Sequence, residues 1–433
     1  MLTPETLFAR PSRADDEPLS HAPFLERARL ERERGQEAAA QVALGAYLVA
    51  RLVDRALSAG TDPETLEGLR WQLQSTRRFV GELPEDEVEA THLAGIVDAV
   101  ATPPPNRDAV LRMSLVAYAY YLEQEGRLEE ALETLAGAAR TYGGPIPPHD
   151  YPALALFSAR LHRVLARWEE ASAIYRAAGE AAARTGDDRS VLLSRLGRAN
   201  VLRGQGNLPA ARAEVERVIA DASAPEYADV RARAYSDLAA VLDRQGAAHE
   251  AIGAAYRAFL LYRDPVERWR ALTDLAVLLK DVGAYQAAAR AFELVLARSE
   301  TFSVRTNAVI ESMDLHAATG NEMAFRRLRN EAEAVLDRMP PSMAVDFRYK
   351  LGIGLLRFDR AAAARRALEE AQALAERHRL NEWYFRIERT LRRLSERGVP
   401  ETPEPPPAGA EAAPAIAEVF AGLERYATAP ALG

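Results

Sequence analysis

Apolar residues recur along this chain at helical spacing. From Phe24 the stretch FLERARLERERGQEAAAQVALGAYLVARLVDRALSAG carries Val42, Tyr47, Leu48, Leu52, Val53 and Leu57 on one face, which predicts a helix that Gly60 ends. Thr61 or Asp62, with Pro63 at the first helical position, opens a second helix through RWQLQSTRRFV. A third is expected from about Pro84 to Val100, and the triplet Pro103–Pro105 then breaks the chain. Residues 24–102 are therefore read as a three-helix segment, and residues 1–23 as a polar, Pro-containing flexible tail.

Beyond the prolines one phrase returns: a helix, a Gly-containing turn, and a second helix with a small residue near its start. That residue is Ala131, Ala171, Ala211, Ala251 and Ala288, at spacings of 40, 40, 40 and 37. A weaker sixth unit lies at TGNEMAFRRLRNEAEAV and a seventh around RFDRAAAARRALEEAQALA, and NEWYFRIERTLRRLSERG caps the series. Gly closes the first helix because it tolerates a left-handed backbone. The small Ala lets the paired helices approach, and Leu128, Trp168, Leu208 and Tyr285 pack over the contact. One such pair cannot bury its own apolar face, so neighbours must stack.

These residues resemble the tetratricopeptide repeat. The likeness rests on Tyr235, Leu238, Ala239 and Leu242, and on Leu272, Leu275, Ala276, Leu279, Tyr285, Ala288 and Phe292. It covers about residues 110 to 375, in the long 40-residue version of the unit, and departs from the pattern at Phe325, where Ala is expected. It implies an all-α fold: a right-handed α-solenoid of stacked antiparallel pairs, about seven repeats and a capping helix over residues 106–398, after the N-terminal three-helix segment. It also implies a concave groove lined by the first helix of each pair. The outward positions of those helices, spaced 3, 4 and 3, put Arg160, Arg163, Asn200, Arg203, Arg233, Ser236, Asp243, Arg270, Thr273 and Lys280 on that groove, with Arg244 beside Asp243. In such grooves an Asn at the place of Asn200 bonds a peptide backbone, and Arg grips carboxylates. The ligand so implied is a protein or peptide, acidic or presenting a C-terminal carboxylate. A run of Arg in an Arg-rich chain also reads as a solvated face, and both readings stand.

Residues 399–412, rich in Pro and Glu, read as an extended linker. After them Ile416, Val419, Phe420, Leu423 and Tyr426 share one face of a short helix, 413–428. That tethered helix either docks on the chain's own repeats or inserts into a partner's groove or this chain's own.

Composition narrows the chemistry. There is no Cys, hence no thiolate metal site and no cysteine nucleophile. The seven His are scattered and none forms a metal-binding pair on one helix face. No phosphate-binding loop is present, and RGQGNL and LGIGLL lack the third Gly and the strand–turn–helix setting. Neither an enzyme, a metal nor a cofactor is expected. A net charge of −8 argues against a nucleic-acid binder. No apolar run is long enough to span a bilayer, and the N-terminus lacks a signal-peptide pattern, so a cytoplasmic bacterial protein is expected, with no membrane insertion. Lys occurs only twice, at Lys280 and Lys350, with Arg supplying the rest of the positive charge. The reading that results is a non-enzymatic peptide- or protein-binding scaffold or sensor. The alternatives are a structural subunit of a larger assembly and a peptide-responsive regulator. The last has the layout of the Rap phosphatases, for which Gln72 and Gln74 would be the candidate catalytic residues.

Overall fold

A computed structural model describes residues 20–58, 62–84, 87–103, 105–378, 380–397 and 413–428. The linker expected at 399–412 and most of the expected tail lie outside these residues. Among those described there are twenty α-helices and no strand. They belong to two compact units, Met1–Gly204 and Gln205–Gly433. The division falls inside the third repeat pair, at its turn, where an unbroken series over 106–398 was expected.

The first unit opens with α1 (Ala22–Glu33), α2 (Glu37–Ser58), α3 (Pro63–Gly81) and α4 (Val88–Ala101). Four helices thus stand where three were expected. Gly35 takes a left-handed φ of 73°, and the Gly35 and Gln36 N–H groups turn back to the carbonyls of Arg32 and Glu31, which ends α1 early. Asp62 caps α3 by accepting from the Thr65 N–H at 2.9 Å. A buried ionic knot holds α1 in place. Glu89 of α4, 3% exposed, accepts from Arg27 at 2.8 Å, from Arg127 at 2.7 Å and from the Tyr118 hydroxyl. Burial alone would raise the Glu89 carboxyl, but the two guanidinium groups outweigh it and hold the pKa below its ordinary value.

The pairs follow. In the first unit α5 (Arg107–Gln124) pairs with α6 (Leu128–Arg140), and α7 (Tyr151–Val164) with α8 (Trp168–Thr185). Helix α9 (Asp188–Gly204) ends the unit against α8. The second unit begins with α10 (Leu208–Asp221). It continues with α11 (Ala228–Arg244) and α12 (Ala248–Leu261), α13 (Pro265–Asp281) and α14 (Tyr285–Arg298), and α15 (Phe302–Ala318) and α16 (Glu322–Glu333). It closes with α17 (Pro341–Arg357) and α18 (Ala361–Arg377), then α19 (Asn381–Arg397) and α20 (Pro414–Thr428).

Within each unit the aligned alanines explain the close pairing: Ala131, Ala171, Ala251 and Ala288 are all 0% exposed. Every turn within a pair contains a left-handed residue. It is Gly126, Gly206, Gly246, Gly283 and Gly320 in five of them, but Ala166 (φ 56°) and Asp359 (φ 58°) in the other two. Phe325, the departure from the small-residue rule, is 1% exposed because Gly354 of α17 makes room for it: a Cβ at Gly354 would lie 2.4 Å from the Phe325 ring. Size is conserved across the contact rather than at either position.

Candidate functional site

In the first unit the positions forty residues before Arg160 and Arg163 are Tyr120 and Glu123 on α5, and Met113 lies one heptad before Tyr120. Met113 is 74% exposed and Tyr120 45% exposed. These two positions are a heptad apart, on one face of the helix. Across from them the Tyr120 ring stacks on Phe157 of α7, with centroids 4.2 Å apart. Arg160 places its guanidinium 4.8 Å from the Phe157 centroid and 5.5 Å from that of Tyr120, and donates to Glu123 at 2.7 Å. Val164, next along the same face of α7, is 50% exposed. The surface so formed mixes open apolar side chains with cations.

The four residues expected here differ in availability. Arg160 is already neutralised by Glu123, so it serves as a wall of the surface and not as a free grip on a carboxylate. Arg163 is half-buried, and its Nε is buried with no hydrogen-bond partner. Asn200 and Arg203 of α9 are half-buried and each is engaged by neighbouring groups. Behind this face His162 is 6% exposed, and burial followed by the charge of Arg167 pushes it down to about 4, so it is neutral near pH 7.

In the second unit Arg233 and Arg244 of α11 stand exposed, Arg244 engaged by neighbours. Lys280, expected to face a ligand, does not. It is 8% exposed at the end of α13 and donates to Asp314 at 2.6 Å and to Glu311 at 3.1 Å, both on α15. Lys350 of α17 binds the other oxygen of Glu311 and reaches Asp346 at 2.8 Å, and Arg357 pairs with Asp314 at 3.0 Å. Both lysines of the chain therefore share one carboxylate, and three successive first helices are tied together through it. The reason Lys280 is consumed internally is desolvation: a buried ammonium is retained only beside carboxylates.

Burial works against every carboxylate in this lattice, and the cations decide the outcome. Glu311 and Asp314, each next to two cations, are held below the ordinary range. Asp346 is raised because burial outweighs its single lysine. Asp274 of α13 has an exposed side chain, yet desolvation by the surrounding helices, with Glu311 and Glu267 nearby, pushes it up to about 6 in spite of Arg270. Asp281 is raised for the same first reason. Glu311, Asp314, Asp346 and Lys350 lie in the sixth and seventh units, where the repeat pattern is weak and, in the sixth, Phe325 stands where Ala is expected, so the sequence did not mark them as groove positions. The rarity of lysine was the usable signal.

The tail helix α20 seats on the second unit. Ile416 (0% exposed), Val419 (3%) and Leu423 (0%) are buried, while Phe420 and Tyr426 are half-buried. Its contacts are to α12 and α14, the second helices of two successive pairs. Gln72 and Gln74 lie on α3, half-buried and exposed respectively. Among the described residues no group of three or more His, Cys, Asp or Glu is arranged to hold a metal ion, and no helix is long and apolar enough to cross a membrane.

No family model matches the chain, and no curated protein matches it. Among solved structures it is similar to a Rap protein complexed with Competence and Sporulation Factor, at 13% identity over 78% of this chain and 99% of that one, with a TM-score of 0.48. It is likewise similar to the Rap conjugation gene regulator of the plasmid pLS20 in complex with the Phr* peptide, at 12% identity over 77% and 97% of the two chains, with a TM-score of 0.48. Neither likeness assigns a ligand to this chain.

Proposed function

We propose that this protein is a non-enzymatic binding module that takes a peptide segment of a partner on the first-helix face of its N-terminal unit. The observation that carries the reading is the exposure of Met113, Tyr120 and Val164 on the same helix faces as Arg160 and Arg163. Large apolar side chains gathered beside arginines are what interface cores are enriched in, and solvent is a costly place to leave them. The matching ligand carries an apolar side chain to cover Met113 and the Tyr120–Phe157 stack, and a carboxylate for Arg163. The ionic lattice of the second unit fits such a ligand poorly, because its cations are already committed to carboxylates.

A random peptide library panned on the immobilised full chain tests this. Enriched sequences are expected to share an apolar residue near an acidic one. Binding of the selected peptide should fall at least ~10-fold in Tyr120→Ala and in Arg163→Ala. Equal affinity for both variants and the parent would remove the reading, as would selection of basic peptides alone.

A further inference from the structure

The seat of α20 is built more specifically than an incidental packing contact. Ile416, Val419, Leu423 and Tyr426 follow one another at i, i+3, i+7 and i+10, and Gly422 sits between them. A Cβ at Gly422 would fall 1.9 Å from the Tyr256 hydroxyl of α12, so only the smallest residue lets the helices come this close. Tyr426 enters the joint between two repeat pairs. Its ring meets Phe259 of α12 edge-on at 5.0 Å and Trp269 of α13 at 6.1 Å. Two arginines of α14 hold the end of the helix: Arg290 pairs with Glu424 at 2.6 Å, and Arg298 donates to the Ala427 carbonyl at 3.1 Å. That carbonyl is one of the four a helix leaves unsatisfied at its C-terminus.

We propose that this seat is a docking site for an amphipathic helix of a partner protein, and that α20 is its built-in competitor. Two features support exchange, and a third sets its threshold. A helix as short as α20 is marginal by itself in water and depends on its seat. The Arg290–Glu424 pair is 30% and 46% exposed, so it is screened and holds weakly. The covalent connection to α19 supplies an effective concentration on the order of millimolar, which keeps even a weak seat filled. A partner helix therefore displaces α20 when its own affinity exceeds what the tether confers. The chemistry it needs is legible in the occupant: apolar residues at the four spacings above, Gly at the Gly422 position, an acid facing Arg290, and a helix end beside Arg298. This surface is independent of the first-unit face.

The probe is a labelled peptide of residues 413–428, titrated by fluorescence anisotropy against the full chain and against the full-length Ile416→Asp/Leu423→Asp variant, whose own helix is released. The variant is expected to bind at least ~10-fold more tightly than the parent, and a further Arg290→Glu change should weaken that binding. In the parent, an excess of a more helical peptide keeping the same five seat residues should raise hydrogen exchange in residues 414–428. Two outcomes overturn the proposal. One is equal, weak binding to both chains while hydrogen exchange confirms release in the variant. The other is a concentration-dependent dimer of the parent by sedimentation, lost in the variant, which would give the seat to a second copy of this chain.

Discussion

Replacing Glu311 by Ala probes the ionic lattice most directly. Glu311 is 8% exposed and receives Lys280 at 3.1 Å and Lys350 on its other oxygen. Removing one partner of a buried pair costs about 3–5 kcal/mol because the remaining charge is left desolvated. Here each ammonium keeps a second carboxylate, Asp314 at 2.6 Å and Asp346 at 2.8 Å, so the loss should sit near the lower end, ~3 kcal/mol. The apolar change Lys280→Met/Glu311→Met/Lys350→Met/Asp346→Leu, which leaves Asp314 paired with Arg357, is expected to cost far less than Glu311→Ala, since whole buried networks are often replaceable without loss. Urea titrations followed by tryptophan fluorescence measure this, with Trp71 and Trp168 changed to Phe so that Trp269 and Trp383 report on the second unit. The pH dependence has a defined sign. Glu311 and Asp314 have folded pKa values below their unfolded ones, so their stabilisation is present above about pH 4.3 and is lost as pH falls. The Glu311→Ala penalty should therefore hold from pH 8 down to about 5 and shrink below 4. A penalty under about 1 kcal/mol at pH 7 would mean that water already solvates both lysines, and the account of this lattice would be wrong.

Ala166→Gly and Asp359→Gly relieve left-handed strain and should each raise stability by about 0.5–1 kcal/mol, read from urea midpoints; a loss at either would mean the turn does not hold its positive φ. Gly354→Ala should cost about 1–3 kcal/mol in the parent and be neutral or favourable in Phe325→Ala, where the added methyl fills part of the cavity; additive penalties would show that the two do not share space. Asp274→Asn should stabilise the second unit at pH 7 and have little effect at pH 4. The reason is that a carboxylate whose folded pKa is raised to about 6 destabilises above its unfolded value and is relieved as it protonates; the difference in thermal midpoint between the two pH values is the readout.

The repeat architecture was legible because it is written locally and several times over. Ala131, Ala171, Ala251 and Ala288 mark the close approaches, and Leu128, Trp168, Leu208 and Tyr285 each begin a second helix. What a single position could not reveal was compensation at a distance. Phe325 looks like a fault in its own unit and is explained only by Gly354, and Ala166 breaks the glycine rule without breaking the turn. The early stop at Gly35 is marked in the sequence only by the polar run Glu31–Glu37, which a continuous exposed helix would also show. The candidate site divided in the same way. Spacing along the first helices selects positions, but whether a charged residue there is free is set by the next helix along, by Glu123 for Arg160 and by Glu311 and Asp314 for Lys280.

The two lysines also give this protein a self-contained reporter. Both are sequestered, and the chain has no others, so a lysine-specific protease finds no cleavable bond on the folded surface. Cutting after position 280 or 350 requires the inner tie between α13, α15 and α17 to come apart first. The rate of digestion then times the breathing of the second unit, with no label added, while arginine-directed proteolysis samples nearly everything else.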